Sequence, residues 1–440
     1  MNHGNDSALT PSPPVFMEPA AAQSFTGRYR FTVGHMFLGA AFALLLLAVV
    51  VPNSLPDITA AAMVLAAMLA LPGLRIGPGF RTLLALYACT VIVTLLYMVV
   101  GGVHDAPQEA EIQVLAIYIL SPLLWTLVAD GLLRRLGAER LIDWLAVLSL
   151  LCALSVGLFF YLYLTRGAAA VTFFFEGANV NLTEGFAGAT MHVYGSLIFL
   201  CGGFFGSPEL IRNRLMRLAL LAMLLVCALT SGRTALILAV PLGWFLGLLL
   251  SSRTTDRRQK SPIFRLIRYG LPMLIAVITA LFLLQAYTQI SLTRVLDAVS
   301  TKLASGGGSA RVQMGHSLFA GILANGGLGS GHGVGVDFVS DAVHPWRYEL
   351  VWLATIYRVG IIGALIYALP FVLYMASVIR LAYRHRLPPR HKFMFCGFVC
   401  AFLGTNTNPY IEAFVFQWMY VIPLVALAIE YPKALKKGRE

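Results

Sequence analysis

The sequence predicts an all-α, polytopic membrane protein with one large helical loop on its outer face, and three observations predict it. Of its 440 residues, 58% are hydrophobic and only 12% are charged, about half the charged share of a soluble domain. About twelve apolar runs approach the roughly 20 residues that a helix needs to cross the hydrocarbon core. Between them, lysine and arginine crowd into every second gap, the bias that sets the orientation of membrane proteins.

The runs fall at about 36–51, 58–72, 82–101, 112–129, 142–163, 190–206, 214–229, 235–251, 269–286, 360–379, 393–405 and 411–429. Proline and glycine punctuate the gaps, as at Pro52, Pro56, Gly73, Gly101 and Gly137, because both residues favour helix ends over helix interiors. Together the runs make 36–430 a single transmembrane domain. Residues 1–35 are rich in Pro, Ala and Ser, and no basic segment leads directly into an apolar one. They are expected to be a disordered cytoplasmic tail, not a cleaved signal. Residues 431–440 form a basic cytoplasmic tail.

One set of alternate gaps holds Arg28 and Arg30, Arg75 and Arg81, then Arg134, Arg135 and Arg140, and Arg212, Arg214 and Arg217. It continues with the basic stretches Arg253 to Arg268, Arg380 to Lys392 and Lys433 to Arg439. An even number of spans makes all these gaps, and both termini, cytoplasmic. The net charge of +12 is therefore distributed along one membrane face, which argues against a nucleic-acid partner.

The basic residues left over are Arg166, Arg233, Arg294, Lys302, Arg311, Arg347 and Arg358. They lie at or near the outer face, where the orientation bias gives no reason for them. Arg233 in "LTSGRTALIL", Arg311 in "SARVQMGHSLF" and Arg358 in "ATIYRVGIIG" sit in or beside helical segments. A charge at membrane depth is costly and faces a cavity or a partner. Each alone fits a snorkelling or salt-bridged structural arginine; together on one side they suit a pocket for an anion.

The large outer loop, 287–358, contains "LASGGGSARVQMGHSLFAGILANGGLGSGHGVGVDF". Ser309 is expected to cap a helix running to about Ala324, with Arg311 in its first turn. Val312, Phe319, Ile322 and Leu323 give that helix an apolar side suited to the membrane interface. The glycines that follow permit positive φ and close backbone approach, and a flexible turn and an anion-cradling backbone are both open. His316 and His332 in this stretch are candidate substrate-binding residues.

Next comes "HPWRYELVWLATIYRVGIIGALIY". Proline favours the first helical position, so Pro345 predicts a helix with His344 near its N-cap, Arg347 and Glu349 in its opening turns and Arg358 near its end. That helix is too short to span and should lie tilted on the outer face, with Gly360 and Gly363 starting the next true span. His344, Arg347 and Glu349 bring a base, a cation and a carboxylate close together, and a histidine can take a proton from a hydroxyl nucleophile near neutral pH. In "GTNTNPYIEAF", Asn406, Asn408 and Glu412 suit sugar hydroxyls, or else cap a proline-led turn.

The cysteines, Cys89, Cys152, Cys201, Cys227, Cys396 and Cys400, all lie in apolar runs and fit buried thiols packed as small hydrophobes. Cys396 and Cys400 share a helix face, but His391 is the only other candidate ligand close by, short of a metal set. The glycine spacing is not a dinucleotide fingerprint, and no phosphate-binding G-x-x-x-x-G-K-[ST] loop occurs. No metal and no cofactor is expected.

Taken in order, "TSGRTALI", "ARVQMGHSLF" with "GLGSGHG", and "HPWRYELVWLATIYRVGIIGAL" resemble the O-antigen ligase and O-antigen (exopolysaccharide) polymerase superfamily of integral membrane glycosyltransferases. The likeness covers about residues 215–380 in its order of parts, and the amino-terminal half in hydropathy alone. It implies a GT-C-like architecture in a bacterial inner membrane and an inverting, metal-independent transfer at the periplasmic face. The donor it implies is an undecaprenyl-diphosphate-linked glycan. The acceptor is a lipid-linked repeat unit or lipid A-core, with membrane lipids as the other partners. The family's arginine at the head of the span after the mid-chain loop falls on Arg233, its large-loop arginine on Arg311 and its loop histidine on His344.

The resemblance implies that the arginines grip the diphosphate and that His344 activates the acceptor hydroxyl. Glu349 joins His344 as a catalytic candidate, and Arg347, Arg358, His316 and His332 join the substrate-binding set. Guanidinium forks suit a diphosphate leaving group, which gains negative charge in the transition state. Ligases usually follow the histidine with asparagine, whereas here Pro345 and Trp346 follow, and "TNPYIEAF" resembles the polymerases. Polymerisation of repeat units is therefore expected, with O-antigen ligation as the alternative. A polysaccharide transporter or flippase is the remaining reading. It calls for paired broken helices at the midplane, and the sequence has no internal repeat.

Overall fold

The structure is a computed structural model that describes residues 21–167, 179–183, 186–190, 193–231, 233–251, 308–339 and 344–436. The run expected at 269–286, together with Arg294 and Lys302, lies outside the described residues. Helices α1 (Ala21–Val50), α2 (Pro56–Ala70), α3 (Pro78–Val103), α4 (Gln108–Val114), α5 (Ser121–Arg135) and α6 (Gly137–Arg166) come first. A short antiparallel hairpin, β1 (Asn179–Thr183) with β2 (Phe186–Thr190), precedes α7 (Val193–Gly206), α8 (Arg214–Thr230) and α9 (Thr234–Ser251). Then follow α10 (Gly308–Ala324), α11 (Val351–Tyr383), α12 (Pro389–Gly404) and α13 (Trp418–Lys436).

Among the described residues, 6 helical stretches are long and apolar enough to cross a membrane: Val33–Val50, Pro56–Gly73, Pro78–Val103, Gln108–Arg135, Gly137–Tyr163 and Val351–Tyr383. Val193–Gly206, Thr234–Leu250 and Trp418–Glu430 are apolar but shorter. The protein is a helical membrane protein. Large apolar side chains such as Ile92, Val99, Ile362 and Leu365 point outward, the arrangement expected where the solvent is lipid and only backbone bonds must be satisfied internally.

Proline opens α2, α3 and α12, where its missing N–H costs no helical bond, and Asn213 caps α8 by accepting from Leu215 N at 2.9 Å. The centre of the bundle is α7, buried along its whole length between α9 and α12. Gly202 of α7 meets Gly243 of α9 and Cys400 of α12, and Gly206 meets Cys396. Small residues let the backbones close in, the usual device for packing helices in lipid. Five cysteines are buried, two of them (Cys396 and Cys400) in this way, while Cys89 is exposed on α3.

Charges separate to the two ends of the bundle. At one end Arg134 pairs with Asp130 and donates to Arg75 O, Arg390 bridges Glu139 and Glu430, and Lys392 pairs with Glu209. At the other end lie Arg233, Arg311 and Arg358. Helix α12 connects them: Arg390 and Lys392 sit in its first turn, and the turn after Gly404 meets Arg233 and Arg311. Its 16 residues cover about 24 Å.

Helix α11 is broken at Gly360 (φ 67, ψ 176). The break removes the intrahelical donors from the carbonyls of Tyr357 and Arg358. The glycine-rich loop after α10 replaces them: Ser330 N donates to Tyr357 O at 2.8 Å, Gly331 N to Arg358 O at 2.9 Å, and Ile361 N returns a bond to Gly327 O at 2.9 Å. On its other side the loop is tied to α3, through His332 N to Tyr97 O (2.9 Å) and Tyr97 OH to Leu328 O (2.6 Å). Gly331 holds φ +97, and a Cβ there would collide with the backbone of Gly101. The turn is thus fixed, with the N–H groups of Ser330, Gly331 and His332 all committed to neighbouring helices. The glycines let a loop wedge between two helices and satisfy a break.

Several sequence expectations change. Helix α1 begins at Ala21, so 21–35 is helical where a tail was expected, and 431–436 continues α13; both extend an adjoining apolar helix, for which propagation is easier than nucleation. Ser309 lies inside α10 and does not cap it. The apolar side of α10 divides: Ile322 packs with Met314 and Leu318 against Tyr348, Ala354 and Tyr357, while Val312, Phe319 and Leu323 are exposed. Residues 344–350 are not helical, and α11 starts only at Val351. Arg358 takes the Trp346 carbonyl at 2.7 Å, and Val336 N donates to Tyr348 OH at 2.7 Å, so bonds across the loop outcompete the local helix.

Gly331→Ala is expected to cost about 2 kcal/mol or more through strained φ and overpacking. Gly326→Ala, at φ +58 with open space around it, should cost about half of that. Thermal unfolding of the two purified variants side by side measures the difference; equal losses would show that the wedge is not tight.

Candidate functional site

The turn that follows α12 gathers residues from three remote segments. Thr405 Oγ1 accepts from Ile411 N at 3.1 Å, Thr407 Oγ1 donates to Gly404 O at 2.9 Å, and Tyr410 N donates to Asn408 O at 2.7 Å, which together fix its shape. Arg233, just before α9, donates through Nη1 to Asn408 Oδ1 at 2.5 Å and to Tyr410 OH at 3.1 Å. Arg311, in the first turn of α10, donates through Nη2 to Thr407 O at 2.9 Å and through Nε to Glu349 Oε2 at 2.7 Å. Arg233 and Arg311 therefore hold neighbouring residues of one turn.

Both arginines keep donors in reserve. Among the described residues Arg233 Nε is buried without a hydrogen-bond partner, and no bond engages Nη1 of Arg311. The Arg311 and Glu349 side chains are 27% and 39% exposed, so their ion pair is open to exchange. Among the described residues, two guanidinium groups against one carboxylate leave the cluster positive. Burial raises the Tyr410 phenol above its ordinary range, while the charge of Arg233 lowers it; the hydroxyl stays protonated and able to donate.

A second polar cluster lies deeper. Arg358 Nη1 meets Glu412 Oε1 at 2.5 Å, Tyr118 OH donates to the same oxygen at 2.6 Å, and Arg358 Nη2 donates to Trp346 O. The pair is nearly inaccessible, with side chains 5% and 10% exposed. Tyr118 is delivered by a π-helical turn, Leu115–Leu120, between α4 and α5. The carbonyls that this turn leaves over are taken by side chains, Ile117 O by Gln417 Nε2 at 2.8 Å and Ile119 O by Tyr87 OH. Widened turns of this kind recur at functional positions.

The expected site residues thus divide. Arg233, Arg311 and Glu349 come together. Arg358, expected to bind substrate, is instead locked in a buried pair, because a charge next to the Gly360 break must be neutralised where no water reaches it. His332, also expected to bind substrate, is buried between Tyr118 and Tyr367, with Nε2 at 3.1 Å from Tyr367 OH. Burial first, and then the charge of Arg358, press its pKa down to about 3, so it is neutral and offers an anion no charge. His316 is exposed on α10. The His344 ring stands edge-on to Trp346, 5.6 Å between centroids, and Trp346 donates to Gln113 Oε1 at 2.8 Å. Arg347 lines a small pocket with Gln113, Tyr118 and Glu412.

Sequence reading missed Tyr410 and Tyr118. The first stands in a motif already read for Asn408 and Glu412; the second lies in an apolar run with no local sign of its partner 294 residues away. Comparison with family profiles, with curated proteins and with solved structures finds no match to this chain.

Removing one member of the buried pair, by Arg358→Ala or Glu412→Ala, should cost about 3–5 kcal/mol, and replacing both together with apolar residues (Arg358→Met with Glu412→Leu) far less. Unfolding in detergent across this double-mutant cycle checks it; additive losses would contradict the pairing.

Proposed function

We propose that the protein is an inverting membrane glycosyltransferase that lengthens O-antigen or exopolysaccharide by transferring a glycan from undecaprenyl diphosphate to a lipid-linked repeat unit. The observation that carries the reading is the convergence of Arg233 and Arg311, two charges with no topological reason to be there, on one turn, with a partly exposed Glu349 paired to Arg311. The resemblance of the motifs around these arginines to the O-antigen ligase and polymerase superfamily supports it. The same reading makes the chain a GT-C-like protein of about twelve spans, in a bacterial inner membrane with both termini cytoplasmic and the arginine cluster periplasmic. The grouping of Arg75, Arg134 and Arg390 at the opposite end supports that orientation.

In this mechanism the donor diphosphate takes over the free guanidinium donors, and Arg311 loosens its hold on Glu349. The acceptor hydroxyl oxygen attacks the anomeric carbon as the bond to the diphosphate oxygen breaks. The hydroxyl proton passes to Glu349 or to His344. The leaving diphosphate, gaining charge, stays on Arg233 and Arg311, whose bidentate forks are strongest in a site with little water. Tyr410 OH and Asn408 hold the Arg233 guanidinium in place.

The test is purified protein with lipid-linked repeat units, with and without lipid A-core. Polymer formed without the core supports polymerisation, and product formed only on the core supports the ligase reading. Arg233→Ala and Arg311→Ala should each lower the rate by about 100-fold or more while leaving helix content and elution unchanged. Chains of ordinary length from either variant would refute the roles given to these arginines.

A further inference from the structure

A cavity of about 160 Å³ lies between α3, the π-helical turn, α11 and α13, at the depth of helices apolar and long enough to cross a membrane. Its walls include Leu84, Leu123, Phe371 and Leu424, all half-exposed, so it opens sideways toward the surface where lipid stands. Hydroxyl and amide side chains also line it, which at first suggests water or a sugar. Their hydrogens are already committed. Tyr87 donates to Ile119 O, Thr90 to Tyr87 O, Thr94 to Thr90 O, Thr126 to Pro122 O, Thr355 to Val351 O, and Gln417 to Ile117 O and Ile411 O. Tyr367 OH is shared between Thr94 and His332. The interior is therefore apolar in character despite its residue types, and apolar cavities stay dry and take hydrocarbon.

Tyr118 lines this cavity and also the smaller pocket of about 20 Å³ that Arg347 and Gln113 line. In that pocket Arg358 and Glu412 neutralise each other, and the side chain of Arg347 has no ion partner among the described residues. One positive charge thus stands in a pocket that shares two wall residues, Ile117 and Tyr118, with an apolar slot.

We infer that the cavity and the pocket together form a lipid site, which takes one hydrocarbon chain of a membrane lipid and sets its anionic phosphate head against Arg347. The site is separate from the Arg233–Arg311 cluster and does not depend on the transferase reading. A phospholipid and a prenyl phosphate share this chemistry.

The test uses the full chain in phosphatidylcholine nanodiscs with traces of a diazirine-chain lipid: phosphatidylglycerol, a prenyl phosphate or phosphatidylcholine. The expected label falls on peptides covering 83–94 and 117–126, with at least one of the anionic lipids about five-fold above phosphatidylcholine, the preference one arginine supplies. Whichever anionic lipid labels more strongly identifies the source. Arg347→Gln should remove that preference. Thr355→Phe and Thr90→Phe, two independent ways to fill the cavity, should each remove the excess of anionic-lipid over phosphatidylcholine label there while leaving the background on the lipid-facing Ile92, Ile362 and Leu365. An anionic-lipid excess in 83–94 that survives both fillings, or label there as strong from phosphatidylcholine, overturns the proposal.

Discussion

The end of the bundle that holds Arg233, Arg311 and Arg358 depends on how the break in α11 at Gly360 is satisfied. Unpaired backbone groups at membrane depth cost several kcal/mol each, so a helix can break there only if something supplies the missing bonds. The loop from Gly327 to His332 does so by exchanging bonds with Tyr357, Arg358 and Ile361 on one side and with Tyr97 on the other. That seam joins α10, α11 and α3. It fixes where Arg358 points, and Arg358 in turn draws in Trp346 O and Glu412, which shapes the non-helical stretch 344–350 and the turn after α12. Glu349 stands on the first of these two pieces of irregular backbone, and Arg233 and Arg311 bond to the second.

Arginines of similar sequence setting end up in opposite physical states. Arg358 is enclosed and neutralised, and its contribution is to hold the parts together. Arg311 is about a quarter exposed and shares its charge with a carboxylate that is more exposed still, while Arg233 rests on neutral groups, Asn408 and Tyr410. Of these three, Arg311 and Arg233 retain charge that a ligand could meet. Burial and the identity of the partner, not sequence position, separate the structural arginine from the available ones.

The helices and the membrane setting were legible in the sequence, because hydrophobic length and the placement of basic residues are local signals. Arg233 and Arg311 stood out in the sequence as charges away from the basic gaps, and they bond to neighbouring residues of one turn. What was not legible depends on contacts between remote segments. Nothing local to the glycines shows that they face a broken helix, and the Pro345 signal for a helix loses to the pull of Arg358 on Trp346 O. The apolar residues of α10 satisfied a helical period but did not reveal which of them the 348–357 segment would cover. His332 looked like a polar group in a polar loop, and only the packing of Tyr118 and Tyr367 around it shows a buried, uncharged ring.

Amide hydrogen exchange over 327–333 and 357–361 in the detergent-solubilised protein tests this account most directly. If the loop closes the break, the amides of Ser330, Gly331, His332 and Ile361 exchange as slowly as those of the flanking helix. Exchange of those amides at the rate of an unstructured glycine-rich segment would contradict it, and with it the placement of every residue held by that seam.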